Sequence, residues 1–71
     1  MRSFDLEGRE YVELCDLLKL TGLCGSGGMA KQEIAAGEVS VDDRIELRKR
    51  AKLRPGQEVS YAGARIRIEG E

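Results

Sequence analysis

The chain has 71 residues, of which 41% are hydrophobic and 35% charged, a composition typical of one small globular domain. No run approaches the roughly 18 consecutive apolar residues of a membrane span, and the first residues alternate instead of forming the apolar block of a secretory signal. A net charge of −1 argues by itself against a nucleic-acid-binding protein, so the distribution of charge matters more than its sum. We therefore expect a single domain over residues 1–71, located in the cytoplasm and not in a membrane.

A strand and an amphipathic helix are predicted at the start of the chain. Residues 3–7 alternate between apolar and polar side chains, which is typical of a short strand at a sheet edge. From residue 10 to residue 20 apolar residues recur at i, i+3, i+4 and i+7, which predicts a helix of about three turns. Its apolar stripe is made by Tyr11, Leu14, Cys15 and Leu18, and its acidic face carries Glu10, Glu13 and Asp16.

A second helix is predicted between Ser26 and Gly37. Ser26 is a good N-cap, and Gly37 suits the left-handed residue that ends a helix. Gly27 and Gly28 add no side chain where the first amides of the helix point outward, so a phosphate can approach them closely, with Lys31 nearby. The short connection from the first helix predicts that the two helices pack as a helical hairpin or helix-turn-helix.

The remaining chain predicts strands. Residues 39–41 and 45–47 form a hairpin or bend around two aspartates, and residues 57–61 and 64–69 alternate on either side of an Ala-Gly turn. The expected fold class is therefore α+β, with two packed helices followed by a small antiparallel sheet.

Positive charge is concentrated in residues 44–54. This segment holds six basic residues against one acidic residue, whereas residues 1–43 hold four basic and nine acidic ones. The six are Arg44, Arg48, Lys49, Arg50, Lys52 and Arg54. Half of the positive charge of the chain thus lies in eleven residues, which suggests a surface for a polyanion. The simplest alternative is a solvated loop that keeps a small protein soluble.

The chain offers no pattern for catalysis or metal binding. Two cysteines, Cys15 and Cys24, cannot complete a four-ligand zinc site without histidine, and the sequence contains none. No serine or cysteine has an obvious activating partner. We therefore predict no enzyme activity, no metal and no cofactor, and structural or neutral roles for both cysteines.

The spacing of residues from about Val12 to Val59 resembles a known family, the αL-type RNA-binding domain named after the fourth protein of the small ribosomal subunit (αL here names a motif). The matching positions are Leu14, Leu17, Leu18, Gly22, Ser26, Ala30, Lys31, Ile34, Gly37, Val39, Val41, Asp42, Lys52, Gly56 and Val59. Within the family the chain most resembles the stand-alone bacterial members, the YbcJ-like proteins. The resemblance implies two helices and a bent strand that bind structured RNA, often ribosomal RNA.

The resemblance also implies which residues face the RNA. Together with the charge pattern it predicts RNA-binding roles for Ser26, Gly27, Gly28, Lys31, Arg44, Arg48, Lys49, Arg50 and Lys52. Family members often carry Arg or Lys where this chain has Gly28 and Met29. Because Tyr11 and Tyr61 are expected in the core, we expect recognition through phosphates and shape, without stacking platforms for unpaired bases.

These observations predict a monomeric RNA-binding protein whose partner is structured RNA, ribosomal RNA above all. A protein-interaction module on a ribosome or nucleoprotein assembly stays open as an alternative, with the acidic face of the first helix touching a basic partner. Enzyme function is considered because the resemblance implies domains that often accompany catalytic domains such as pseudouridine synthases. It is the third and weakest possibility, since the residues of this chain form no catalytic pattern. The salt sensitivity of RNA binding distinguishes the first two.

Overall fold

The computed structural model describes residues 2–70, and the end residues of the predicted domain, 1 and 71, lie outside that range. The elements are β1 (Arg2–Asp5), β2 (Val12–Glu13), α1 (Leu14–Leu20), α2 (Gly27–Ala35), β3 (Val39–Val41), β4 (Arg44–Ile45), β5 (Lys52–Leu53), β6 (Glu58–Tyr61) and β7 (Ala64–Glu69). Five strands form one sheet in the order β1-β7-β6-β3-β4, and β2 pairs with β5 in a separate two-stranded sheet. The predicted α+β fold, two packed helices with a small sheet, is confirmed.

The five-stranded sheet is mixed rather than purely antiparallel. Strand β1 pairs parallel with β7 at one edge, while the other three pairs are antiparallel. The parallel pair arises because the chain passes through both helices and the other strands before it returns beside β1. The expectation of an edge strand near residues 3–7 is thus confirmed, and its direction is the added finding.

A single apolar cluster joins the helices to the sheet. It contains Leu14, Cys15, Leu17 and Leu18 from α1, Ala30 and Ile34 from α2, and Val39, Val59, Ile66 and Ile68 from the strands. On β7 the buried Ile66 and Ile68 alternate with the exposed Arg65 and Arg67. The helices therefore cover one face of the sheet, and the two arginines mark the opposite face.

The first helix begins later than predicted. Residues Val12–Glu13 form a strand, and α1 starts only at Leu14. Val12 lies opposite Leu53 in the antiparallel β2–β5 pair, and both side chains are buried. The helical periodicity that we extended to residue 10 is therefore overridden by pairing with a segment 40 residues away along the chain.

The second helix begins as predicted. The Ser26 hydroxyl oxygen accepts a hydrogen bond from the Met29 amide at 3.1 Å. The turn after β3 places Asp42 and Asp43 at φ of 50° and 67°, a left-handed conformation that glycine adopts at less cost. No helix within residues 2–70 has the length and apolarity to cross a membrane, and the longer of the two has nine residues.

Candidate nucleic-acid interface

The basic segment, residues 48–54, is fixed to the start of α1 by backbone hydrogen bonds. The amide of Leu14 donates to the carbonyl of Ala51, and the amide of Cys15 donates to the carbonyl of Lys49, both at 3.0 Å. The N-cap residue Glu13 makes no side-chain cap. Carbonyls of the basic segment thus satisfy amides that a helix start leaves without intrahelical partners. This segment is an ordered part of the fold and not a loose surface loop.

Alternation along the basic segment decides which side chains reach solvent. Ala51 and Leu53 are buried, with exposed fractions of 5% and 1%. Arg50, Lys52 and Arg54 lie between and beside them and are exposed. Because successive side chains of a strand point to opposite faces, burial of Leu53 turns its neighbours Lys52 and Arg54 outward, and Arg50 is exposed in the turn that precedes the strand.

Arg48 differs from the other cations because Glu46 holds it. The Glu46 carboxylate accepts from the Arg48 Nε at 3.1 Å, from its Nη2 at 2.9 Å and from its backbone amide at 3.0 Å. These hydrogen bonds, chiefly those of the Arg48 side chain, hold the pKa of Glu46 below its ordinary value of 4.5. The same contacts raise the pKa of Arg48. The carboxylate therefore stays ionised at neutral pH and partly neutralises this arginine.

The remaining cations of this region are available to a ligand. Arg44 lines a groove together with Arg48 and Glu46, and Arg48 lines a second groove with Arg50 and Lys52. Within residues 2–70, none of the segment's other four cations, nor Arg44, makes a salt bridge. Four of the predicted RNA-binding residues, Arg44, Arg48, Arg50 and Lys52, thus line two grooves that share Arg48, and a fifth, Lys49, is exposed next to Arg48 in the chain.

The start of α2 forms the other part of the predicted site. Ser26 and Gly28 are exposed, and Gly27 and Lys31 are half-buried. A Cβ on Gly28 would have only the Ser26 hydroxyl oxygen within 4 Å, at 3.9 Å, so the approach to these amides is open. The helix start therefore has the access that a phosphate requires.

These two parts lie at opposite ends of α1. The basic segment forms hydrogen bonds with the first residues of α1. The chain just before α2 is bonded near the last residues of α1, where the Cys24 amide donates to the Leu18 carbonyl. A helix of seven residues is about 10 Å long. No hydrogen bond or salt bridge among residues 2–70 joins the two parts. A ligand that contacts both must extend along the helix pair.

Tyr11 is the residue that sequence reasoning placed wrongly. We expected it in the core, but it is only half-buried and does not belong to the apolar cluster. Its ring lies under two cations of the basic segment, with the Lys52 Nζ at 5.0 Å and the Arg54 Cζ at 5.7 Å from the ring centroid. Residues 11–13 fit a strand as well as a helix. In a strand, the side chains of Tyr11 and Glu13 point to the face opposite that of Val12, which would have placed Tyr11 outside the core.

Tyr61, in contrast, packs against the core as expected. Partial burial, the Cys24 thiol and the Glu33 carboxylate raise the pKa of its hydroxyl to about 12. Tyr61 therefore stays protonated at neutral pH, and its side chain packs against the apolar cluster. Both cysteines are buried and free.

A small group of potential metal ligands lies beside the basic segment. Glu13, Cys15 and Asp16 bring their ligand atoms within 4.8 Å of one another. Cys15 is buried, and the sequence has no histidine to complete a site. The geometry alone gives this group no assigned role.

An α+β domain with an ordered basic segment beside two packed helices defines a class of small binding modules, and comparison with known proteins identifies the family. The S4 domain model matches residues 4–69, so the chain belongs to the S4 domain family. YbcJ of Escherichia coli (strain K12) and YbcJ of Shigella flexneri are each 50% identical over 68 residues, which cover 96% of this chain and 97% of each relative. The solution structure of E. coli YbcJ is described as revealing an αL motif involved in RNA binding. It matches this structure with a TM-score of 0.75 and 49% sequence identity, and the match covers 97% of this chain and 87% of the YbcJ chain. The resemblance drawn from the sequence is confirmed.

Proposed function

We propose that this protein binds structured RNA, with ribosomal RNA as its target, as a monomeric, non-catalytic domain of the cytosol. Membership of the S4 domain family and the αL motif described for E. coli YbcJ support RNA as the ligand. The observation that carries the proposal is the exposure of Arg50, Lys52 and Arg54 beside Ala51 and Leu53, whose burial anchors the segment to the fold. The buried, unpaired cysteines suit a reducing compartment.

Phosphate contacts supply the affinity in this proposal. The outward cations of the basic segment and Arg44 neutralise phosphates of one strand, and their arginine forks bind phosphate oxygens in pairs. The amides at the start of α2, with Ser26 and Lys31, receive a further phosphate about 10 Å away along α1. Two separated contact regions of fixed spacing recognise the shape of a folded RNA better than a flexible basic tail does.

The proposal is tested by comparing two charge-matched double variants. Arg50→Gln with Lys52→Gln removes two cations from the basic segment, and Arg65→Gln with Arg67→Gln removes two from the opposite face of the sheet. We expect only the first variant to lose affinity for ribosomal RNA fragments, with the slope of log affinity against log salt reduced by about 1.4 to 1.8, or roughly 0.7 to 0.9 per phosphate. Equal losses in the two variants, with both folded by circular dichroism, would contradict a localised RNA surface.

The target is tested by crosslinking in cells followed by sequencing of the RNA bound to the protein. Enrichment of ribosomal RNA in the wild type, lost in the Arg50→Gln, Lys52→Gln variant, is the expected result. Enrichment of other RNA classes would refute the ribosomal target while leaving RNA binding intact.

One observation favours the second candidate, a protein-interaction module on a ribosome or nucleoprotein assembly. Ile45 and Leu47 are 65% and 59% exposed and flank Glu46 at the edge of the sheet. Exposed apolar side chains beside charged ones are common in protein interfaces. If Ile45→Ser abolishes association with ribosomes while affinity for naked RNA is unchanged, this second function is supported.

A further inference from the structure

We infer that Tyr11 and Arg54 form a stacking platform for one unpaired RNA base, directly beside the phosphate-binding cations. This inference rests on the proposed function and adds the feature of the RNA that is recognised: a bulged or looped-out nucleotide next to a helical segment. It replaces our sequence-based expectation that the protein offers no platform for bases.

The register of the β2–β5 pair places the ring and the cations on one face. Val12 lies opposite Leu53, and Glu13 lies opposite Lys52. One step further along the same register, Tyr11 faces Arg54, with Lys52 on the diagonal. Because Val12 and Leu53 point into the core, this face points to solvent.

The contacts of Tyr11 suit stacking. Within residues 2–70 its ring is half-buried and packs against cations rather than against the apolar cluster. A guanidinium over an aromatic ring leaves a second flat surface on its outer side, and bases stack both on aromatic rings and on guanidinium planes. Displacing Lys52 toward a phosphate exposes further ring surface to a base.

The charge around Tyr11 is balanced, unlike that of the rest of the basic segment. The ring forms part of a cleft that is also lined by Arg9, Glu10, Glu13 and Asp16. With Lys52 and Arg54 over the ring, three cations face three carboxylates, so the charges around Tyr11 balance and give a phosphate no net attraction that an uncharged base would lack. The backbone of the RNA therefore lies toward Arg50 and Lys52, and the unpaired base turns toward Tyr11.

The test uses a blunt RNA duplex and the same duplex with a single bulged adenosine. We expect the wild type to prefer the bulged duplex and Tyr11→Leu to lose about 5- to 150-fold in affinity for it, the range for one stacked base. For the blunt duplex the same variant changes affinity by less than about twofold, since phosphate contacts remain. Tyr11→Phe keeps the ring and is expected to keep the preference.

Fluorescence gives a second readout that does not depend on the folding of Tyr11→Leu. The chain has two tyrosines and no tryptophan, so Tyr61→Phe leaves Tyr11 as its only tyrosine. Stacking predicts that the bulged duplex quenches this emission and that the blunt duplex does not.

Equal quenching by both duplexes, or an equal loss of affinity for both in Tyr11→Leu, would overturn the inference, because Tyr11 would then only position the cations. Absence of binding to either duplex by the wild type would instead refute the proposed function itself.

Discussion

Removing the carboxylate of Glu46 is predicted to strengthen RNA binding. Glu46 accepts three hydrogen bonds from Arg48, two from the side chain and one from the backbone amide. In Glu46→Gln the amide oxygen still accepts from the Arg48 backbone, so the local turn is kept. The guanidinium loses its counter-charge and becomes free to bind a phosphate.

The size of this effect follows from counterion release. One additional phosphate contact steepens the salt slope by roughly 0.7 to 0.9, which at about 0.15 M salt corresponds to about a four- to fivefold gain in affinity. Fluorescence anisotropy with a labelled ribosomal RNA fragment, repeated at several salt concentrations, measures both quantities. A lower affinity in the folded variant would refute the reasoning, because it would mean that Glu46 holds Arg48 in its binding geometry.

The same pair has a predictable pH dependence. Since the pKa of Glu46 is lowered in the folded protein, ionised Glu46 contributes stability that is present above pH 4.5 and is lost as the pH falls through the lowered pKa. Wild type and Glu46→Gln should therefore differ in melting temperature at neutral pH, and that difference should shrink in acid. Thermal melts across the acidic range check this, and a difference independent of pH would contradict the assigned cause.

Four further predictions concern the caps, the core and the cysteines. Ser26→Ala removes the oxygen that accepts from the Met29 amide and should cost about 1 kcal/mol, seen as a fall of roughly 4 to 8 °C in melting temperature. Gly28→Val should weaken RNA binding more than it weakens folding, with Gly28→Ala as the smaller control; unchanged affinity in a folded Gly28→Val would remove the helix start from the site. Leu53→Ala should cost about 2 to 5 kcal/mol in a denaturant titration, because Leu53 is 1% exposed and anchors the basic segment. Freshly isolated protein should have the mass of two free thiols, since Cys15 and Cys24 are unpaired, and a mass lower by two hydrogens would contradict this.

Local patterns predicted the helices and most of the strands because caps, turns and side-chain periods are visible in neighbouring residues, even where the pairing strand is distant, as for β1 and β7. The cap at Ser26, the period of two through β7 and the apolar stripe of α1 each follow from neighbouring residues. The strand at Val12 could not be predicted in this way. Its partner is Leu53, and a helical period and a strand period fit residues 11–13 equally well.

The arrangement of the candidate site was predictable only in part. The concentration of cations in residues 44–54 is visible in the sequence, and the alternation of Ala51 and Leu53 with cations indicates which side chains turn outward. The separation of this segment from the start of α2 depends on how the chain packs around α1. Glu46 and Arg48 are two residues apart in the sequence, but only the structure shows that their side chains form a salt bridge.

The acidic residues near α1 do more than lower the net charge. At physiological salt the Debye length is about 8 Å, so carboxylates farther than this from a phosphate would be screened from it. The structure places Glu13 directly opposite Lys52, so at least one carboxylate lies within that distance of the cationic row. Its field therefore limits the positive surface on the side of Tyr11 instead of fading before it. In the proposed binding mode the phosphates lie toward Arg50 and Lys52, where the potential is most positive, and the aromatic ring receives an uncharged base. The small net charge of the chain is thus the sum of a basic segment and the carboxylates beside it, and in the proposed binding mode these carboxylates orient the RNA.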